Sequence, residues 1–299
     1  MLSIGAAHAA DLPMATKAPV APPPPVSGYL EIYTGGAWNH EDEIDGAENS
    51  HAWVIGGAGR VNYWFAPGAS AQFDVQADGA SYTGQTSGPS RFSATDYLIA
   101  AHVNWRDPGH LVGIFAGAGD ASQDEVVNAS STAAIRHGLI GVEGQLYWNQ
   151  LTLYGQGGYD STIGSITNVP GGIDSVHAWF VRGTARYYIN PDLRLEGTVQ
   201  YDNGAHDFSA GVPSLDFDMV LWRGKIEYKF PNSPFAIFGA YQGTRMNLDV
   251  PGETETVTDQ RVTAGFRIYL NEDTLHFNDV RGATLDIIDP IGLLAPSLN

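Results

Sequence analysis

Cysteine is absent from all 299 residues. That excludes a disulfide framework and thiolate metal sites, and it leaves the redox compartment open. Positive charge is scarce too: 15 Lys and Arg stand against 33 Asp and Glu, a formal net charge of −18. Phosphate binding needs a basic footprint, so nucleic acid is excluded as a partner. No stretch approaches the roughly 18 consecutive apolar residues of a membrane-crossing helix. A β-barrel crosses without such a run, because only every second residue meets lipid. Gly, by contrast, is plentiful at 36, and aromatics make up 11%, a balance that suits strands and interfacial girdles.

A short turn flanked by aromatics recurs about every forty residues, with no helix between copies. The turns are Phe65-Ala66-Pro67-Gly68, Trp105-Arg106-Asp107-Pro108-Gly109, Trp148-Asn149-Gln150, Tyr188-Ile189-Asn190-Pro191-Asp192 and Phe230-Pro231-Asn232-Ser233-Pro234. A fixed period marks one repeated hairpin unit. Period-two alternation predicts twelve strands, near 28–38, 51–65, 69–82, 93–106, 110–120, 131–148, 150–161, 175–189, 192–204, 216–230, 234–248 and 257–270. Most exceed the ~9–11 residues that cross a bilayer at a strong tilt. Tyr63, Phe65, Trp105, Trp148, Tyr187, Tyr228 and Phe230 fall on the apolar parity at the turn ends, as an interfacial girdle requires. The fold expected is all-β: a transmembrane, antiparallel, up-and-down barrel with short periplasmic turns and long external loops. A soluble sandwich and a propeller are the competing all-β folds. Strands of 10–18 residues are too long for propeller blades.

The flanks divide the chain further. Ala7-His8-Ala9 fits a small-x-small export cleavage pattern, so 1–9 reads as a signal-peptide remnant whose true start lies upstream. Residues 10–27 form a Pro/Ala-rich periplasmic linker, 28–270 the barrel and 271–299 a C-terminal periplasmic tail. Ala10-Asp11-Leu12-Pro13, Lys17-Ala18-Pro19, the Pro-rich stretch and a strand opening at Gly28-Tyr29-Leu30-Glu31 carry a resemblance. This start resembles that of alphaproteobacterial outer-membrane barrels of the porin-like surface-antigen group. The resemblance implies the outer membrane of a Gram-negative bacterium, contact with outer-membrane lipid and lipopolysaccharide, and insertion by the barrel assembly machinery. It transfers no functional residue. Small members of the group have fewer strands and end on an aromatic residue, whereas this chain runs on to Asn299.

If the polar parity faces the lumen, eight cations of the later strands point inward: Arg182, Arg186, Arg194, Arg223, Lys225, Lys229, Arg261 and Arg267. The inward acids are Glu31, Asp74, Asp78 and Glu143 in the first half, then Glu196 and Glu227; Arg60 and His102 are the inward basic exceptions. One side of the wall is thus strongly basic. Either the charges pair across and fill the lumen, or the surplus base lines an aqueous passage that favours anions. Twelve strands give a backbone diameter of about 24 Å, enough for a narrow channel. The expected function is passive diffusion of small hydrophilic solutes with mild anion preference. The alternative is a closed barrel with a structural or surface-interaction role.

Other constellations are weaker. The acidic run from His40 to Glu48 lacks EF-hand spacing, and the nine His include no His-x-x-x-His pair, so no metal or cofactor is expected. His137 and Glu143 share one strand but stand ~20 Å apart. Ser175 and His177, with His206-Asp207 in the next long loop, are the nearest approach to a hydrolase rim; no catalytic residue is assigned. The tail contains Leu285-Asp286-Ile287-Ile288-Asp289 and Ile291-Gly292-Leu293-Leu294, too apolar for a solvated end. It suits a partial plug under the barrel mouth or a contact with a periplasmic partner.

Overall fold

A computed structural model gives the architecture; it describes residues 25–42, 48–84, 91–125, 132–164, 173–208, 213–250, 252–271 and 273–288. The signal remnant, nearly all of the linker, residues 43–47 of the acidic run and the apolar segment 291–294 lie outside the described residues.

Twelve strands form one closed antiparallel sheet in chain order. They are β1 Val26–Asp42, β2 Glu48–Ala66, β3 Ala69–Gly84, β4 Arg91–Arg106, β5 His110–Glu125, β6 Thr132–Trp148, β7 Leu151–Thr162, β8 Ile173–Asn190, β9 Leu193–Phe208, β10 Leu215–Lys229, β11 Phe235–Val250 and β12 Glu253–Tyr269. β12 pairs with β1 from Tyr29 opposite Tyr269 up to Asp42 opposite Thr256. Glu31 stands directly opposite Arg267 at this seam, and the Arg267 Nε donates to Glu31 at 2.8 Å. An opposite-charge pair set face to face is one of the devices that pin strand register.

The short turns are local chemistry. Gly68 (φ +80°), Asn149 (φ +52°) and Asn232 (φ +52°) occupy the left-handed region that Gly tolerates freely and Asn better than most residues. In the β4–β5 turn the Asp107 carboxylate accepts from the amides of Gly109 (2.7 Å) and His110 (2.9 Å). At the opposite end several strands outrun their sequence expectation: β1 extends to Asp42 instead of 38, β5 to Glu125 instead of 120, and β9 to Phe208 instead of 204. The backbone ladder continues there after the polar–apolar alternation has faded, because both faces approach water and side-chain pattern no longer reports pairing.

Burial is inside-out relative to a soluble protein. Exposed Ile55, Val61, Ile114, Ile140, Val142, Val199 and Phe266 cover the outer wall. Tyr63, Phe65, Trp105, Trp148 and Tyr187 ring this belt at the short-turn end, and Trp53, Tyr97, Tyr159 and Trp179 ring it at the other. Eight to ten residues separate the rings along a strand; at ~3.3 Å per residue and a ~40° tilt that is roughly 20–25 Å, the height of a membrane belt. No helix among the described residues is long and apolar enough to cross a membrane.

The tail follows the plug alternative and goes further in. After β12 the chain forms a short helix, α1 Leu275–Arg281, and residues 273–288 run into the barrel instead of hanging below it. Thr274 caps the helix by accepting from the Phe277 amide at 3.2 Å. Leu275 is fully buried beside Tyr29, Tyr188 and Tyr269. A polar tail would have stayed in water, but this one carries Leu275, Leu285 and Ile288, whose burial stabilises by roughly 1.5–3 kcal/mol each.

Candidate functional site in the lumen

The sequence-derived lumen residues all lie on the inward parity of their strands. Asp74 comes from β3, Glu143 from β6, Arg182 and Arg186 from β8, and Arg194 and Glu196 from β9. Arg223, Lys225, Glu227 and Lys229 come from β10, and Arg261 and Arg267 from β12. Six of them converge. Glu227, fully buried, accepts from Arg194 (2.8 Å) and Arg267 (2.9 Å), with Lys225 at 3.7 Å. Arg186 reaches Glu196 at 3.0 Å, and Arg194 lies 3.4 Å from the same carboxylate.

A second cluster sits opposite. His102 bridges Asp74 (3.1 Å) and Glu143 (2.9 Å), and Tyr154 Oη donates to Glu143 at 2.6 Å. Arg60 donates to Asp74 at 2.8 Å. Three residues stand apart from both clusters. Lys229 donates to the Ser233 carbonyl at the short-turn end, Arg261 lies 3.7 Å from Asp78, and Arg223 Nε donates to Gln242 Oε1 at 2.8 Å.

The tail joins the two clusters. Arg186 Nη1 donates to Asp279 at 2.6 Å, and its Nη2 donates to Asp286. Arg60 reaches across to Asp286 at 3.1 Å. Burial alone would raise both tail carboxyls, but the neighbouring guanidinium groups outweigh it. Arg186 and Arg194 hold Asp279, and Arg186 and Arg60 hold Asp286, below the usual carboxylate range. The tail backbone is gripped as well. Gln72 donates its side-chain amide to the Leu285 carbonyl (2.6 Å) and accepts from the Leu285 amide (3.1 Å). Gln156 donates to the Asp286 carbonyl at 2.9 Å, Arg182 to that of Ile287 at 2.7 Å, and Arg106 to that of Gly282 at 3.0 Å.

Above this polar layer the lumen turns apolar. Leu98, Phe115, Leu139 and Phe180 surround Ile288. Nearer the long loops, Ile135, Val176, Phe217, Met219, Met246, Leu248 and Val257 pack from strands on several sides of the barrel. Sequence reading missed both this belt and the tail ligands Asp279, Thr284 and Asp286. The apolar content of 285–288 was the available signal, because it already spoke against a solvated end.

The hydrolase-like residues do not assemble a nucleophile. Ser175 and His177 lie on the outward parity of β8, and the Ser175 hydroxyl donates to Asp207 (2.8 Å) instead of meeting an imidazole. His177 and Ser214 contact the same carboxylate at 3.3 and 2.7 Å. His206 is buried and stacked on Phe217 at 5.0 Å between ring centroids. His137 and Glu143 take separate partners, Asp160 for the first and His102 with Tyr154 for the second. No group of three or more His, Cys, Asp or Glu able to hold a metal occurs among the described residues.

No family model matches the chain, and no curated protein matches it. Solved structures do. The chain is similar to an outer membrane channel from Pseudomonas putida F1, with TM-score 0.58 and 9% identity, covering 84% of this chain and 97% of that one. It also matches the translocator domain of the autotransporter NalP from Neisseria meningitidis, with TM-score 0.47 and 10% identity over 81% and 88% of the two chains. The outer membrane protease OmpT from Escherichia coli matches with TM-score 0.35 and 12% identity over 84% and 99%. At these identities the first likeness speaks for the fold alone, a closed antiparallel β-barrel.

Proposed function

We propose that this chain is a narrow channel in the outer membrane of a Gram-negative bacterium. It passes small hydrophilic solutes with mild anion preference, is not an enzyme, and is closed at rest by its own tail. The observation that carries this reading is the placement of Asp279 and Asp286 against Arg186 and Arg60 inside the barrel. The surplus base on one side of the wall is met by carboxylates on a segment that enters from the short-turn end, outside the closed hydrogen-bonded sheet. A strand cannot leave a closed barrel without breaking its ladders, but a tail can leave the lumen by exchanging its contacts for water. With the tail out, Arg182, Arg186, Arg194, Arg223 and Lys225 line the passage. The barrel likeness and the N-terminal resemblance both support the location, with export, lipopolysaccharide contact and assembly as they imply.

Planar-bilayer conductance tests the reading. The full chain is expected to conduct rarely, and a chain ending at Leu270 to conduct at least tenfold more often, with a reversal potential shifted toward anions. Replacing Arg194, Arg223 and Lys225 by Gln in that shortened chain is expected to reduce the shift. A well-folded shortened barrel that never conducts would overturn the channel. The runner-up then stands: a closed barrel with a structural or surface role, favoured by the apolar belt that packs across the long-loop half.

A further inference from the structure

Between wall and tail lies a polar cavity of about 80 Å³. Seven Lys and Arg side chains line it, and the wall answers them with only Glu31, Asp74 and Glu196, plus Glu227 bonded behind Arg194 and Arg267. The remaining two carboxylates, Asp279 and Asp286, belong to the tail. Buried cations need partners, so the wall is built for two carboxylates that it does not itself own.

Geometry narrows what else can supply them. Both tail carboxylates bind one guanidinium, Asp279 at Nη1 and Asp286 at Nη2 of Arg186, and Arg60 takes the second oxygen of Asp286. The two carboxyl positions are therefore neighbours, the width of one guanidinium apart. A carboxylate presents two coplanar oxygens that match an Arg fork. A phosphate or sulfate also pairs two of its oxygens with an Arg fork, but it brings one anionic centre where the tail brings two separate carboxylates, one of them reaching on to Arg60. A short chain with a carboxylate at each end reaches both positions.

We propose that this pocket is a binding site for small dicarboxylate anions, with the tail as its built-in competitor. The inference rests on the reading of the tail as a displaceable plug. An entering dicarboxylate takes Arg186 and Arg60 from Asp279 and Asp286, and the tail loses the contacts that hold it. The transported class is then one the channel itself recognises, and its arrival opens the path.

The chain has no cysteine, so Ala283→Cys, on the tail at the cavity edge, gives a single reporter thiol in the full chain. Its maleimide labelling is measured in vesicles, with folding checked by heat-modifiable migration. Labelling is expected to be slow alone, to rise at least tenfold and saturate with succinate, and to stay within twofold in sulfate or sodium chloride of equal ionic strength. Arg186→Lys is expected to move the succinate midpoint up about tenfold. In the chain without the reporter, the Trp64 indole, which donates to the Arg281 carbonyl at 3.0 Å, is expected to give a saturable fluorescence change that Trp64→Phe removes. Succinate acting no better than sulfate, in labelling and in fluorescence, overturns the site. Fast labelling with no anion present overturns the plug itself, which separates failure of this inference from failure of the reading beneath it.

Discussion

The two halves of the lumen are built by different means. Toward the short turns the filling is polar and comes from outside the sheet: a tail gripped by Arg60, Arg106, Arg182, Arg186, Gln72 and Gln156. Toward the long loops it is apolar and comes from the wall itself, through Ile135, Phe217, Met219, Met246, Leu248 and Val257. Polar contacts can be exchanged one for one with water or another ion at small net change, since a hydrogen bond is worth only about 0.5–1.5 kcal/mol net. Apolar packing has no such substitute, and opening it exposes surface at about 25 cal/mol per Å². The polar half is therefore suited to release, and the apolar half to a fixed collar around the passage that release of the tail uncovers.

The largest effect is expected where one side chain holds most of the polar half together. Arg186 contacts Glu196, Asp279 and Asp286, and is itself fully buried. Arg186→Leu leaves those carboxylates without their shared cation, a loss of about 3–5 kcal/mol for a broken buried pair. The loss falls on tail docking, because the sheet ladders are untouched. Thiol labelling at Ala283→Cys is expected to become fast without any added anion, while heat-modifiable migration persists. Migration lost together with the docking would show that the tail is part of the barrel's stability and not a separable plug.

Next comes the converse change in the apolar half. Met246→Ala removes a fully buried side chain from the belt and is expected to lower barrel stability by about 2–3 kcal/mol through lost contacts and a cavity. Urea unfolding followed by gel migration measures it. Tail labelling is expected to stay within twofold of its starting rate. A parallel rise in labelling would break the comparison, because the two halves would then be one cooperative unit.

How legible these halves were in the sequence follows from what each is made of. The strands were readable because alternation over ten or more residues is long enough to beat chance, as along Leu193–Tyr201 in β9. Parity then placed Arg186, Arg194 and Glu227 inward without a structure. The surplus of base on one wall was also visible, but not what it faced. Asp279 and Asp286 sit in a segment with no period; the apolar residues after them pointed to a plug under the barrel mouth, but nothing local says how far the 16-residue stretch 273–288 enters or which cations it meets. The apolar belt was hidden for a related reason. Phe217, Met219 and Met246 interrupt the polar parity only near the strand ends, where a few apolar residues look like lipid contacts.

Acid should sharpen the comparison modestly. Asp286 is held below the usual carboxylate range by Arg186 and Arg60. A carboxyl depressed on docking contributes stability that is present above its ordinary pKa of about 3.8 and is lost as pH falls toward the lower, docked value. Tail labelling, corrected for thiolate fraction, is thus expected to stay flat from pH 8 to pH 5 and to rise only below about pH 4. A rise already near pH 6 would show that a group other than the tail carboxylates controls docking.

Salt should do least. Exposed ion pairs separated by more than the Debye length, ~10 Å at 0.1 M and ~3 Å at 1 M, fade as salt rises, whereas buried pairs are screened far less. The Arg186–Asp279 pair lies with both side chains almost wholly out of solvent. Sodium chloride raised from 0.1 to 1 M is therefore expected to change tail labelling less than twofold, although the same contacts yield to a dicarboxylate. The contrast separates screening from replacement. Screening acts through mobile ions that never reach the guanidinium, while replacement requires a ligand that satisfies both of its faces before the tail lets go. Labelling that climbs steadily with chloride would mean that the polar half is wet and loosely held, and the distinction between an exchangeable and a permanent half would then rest on water access instead of on partner identity.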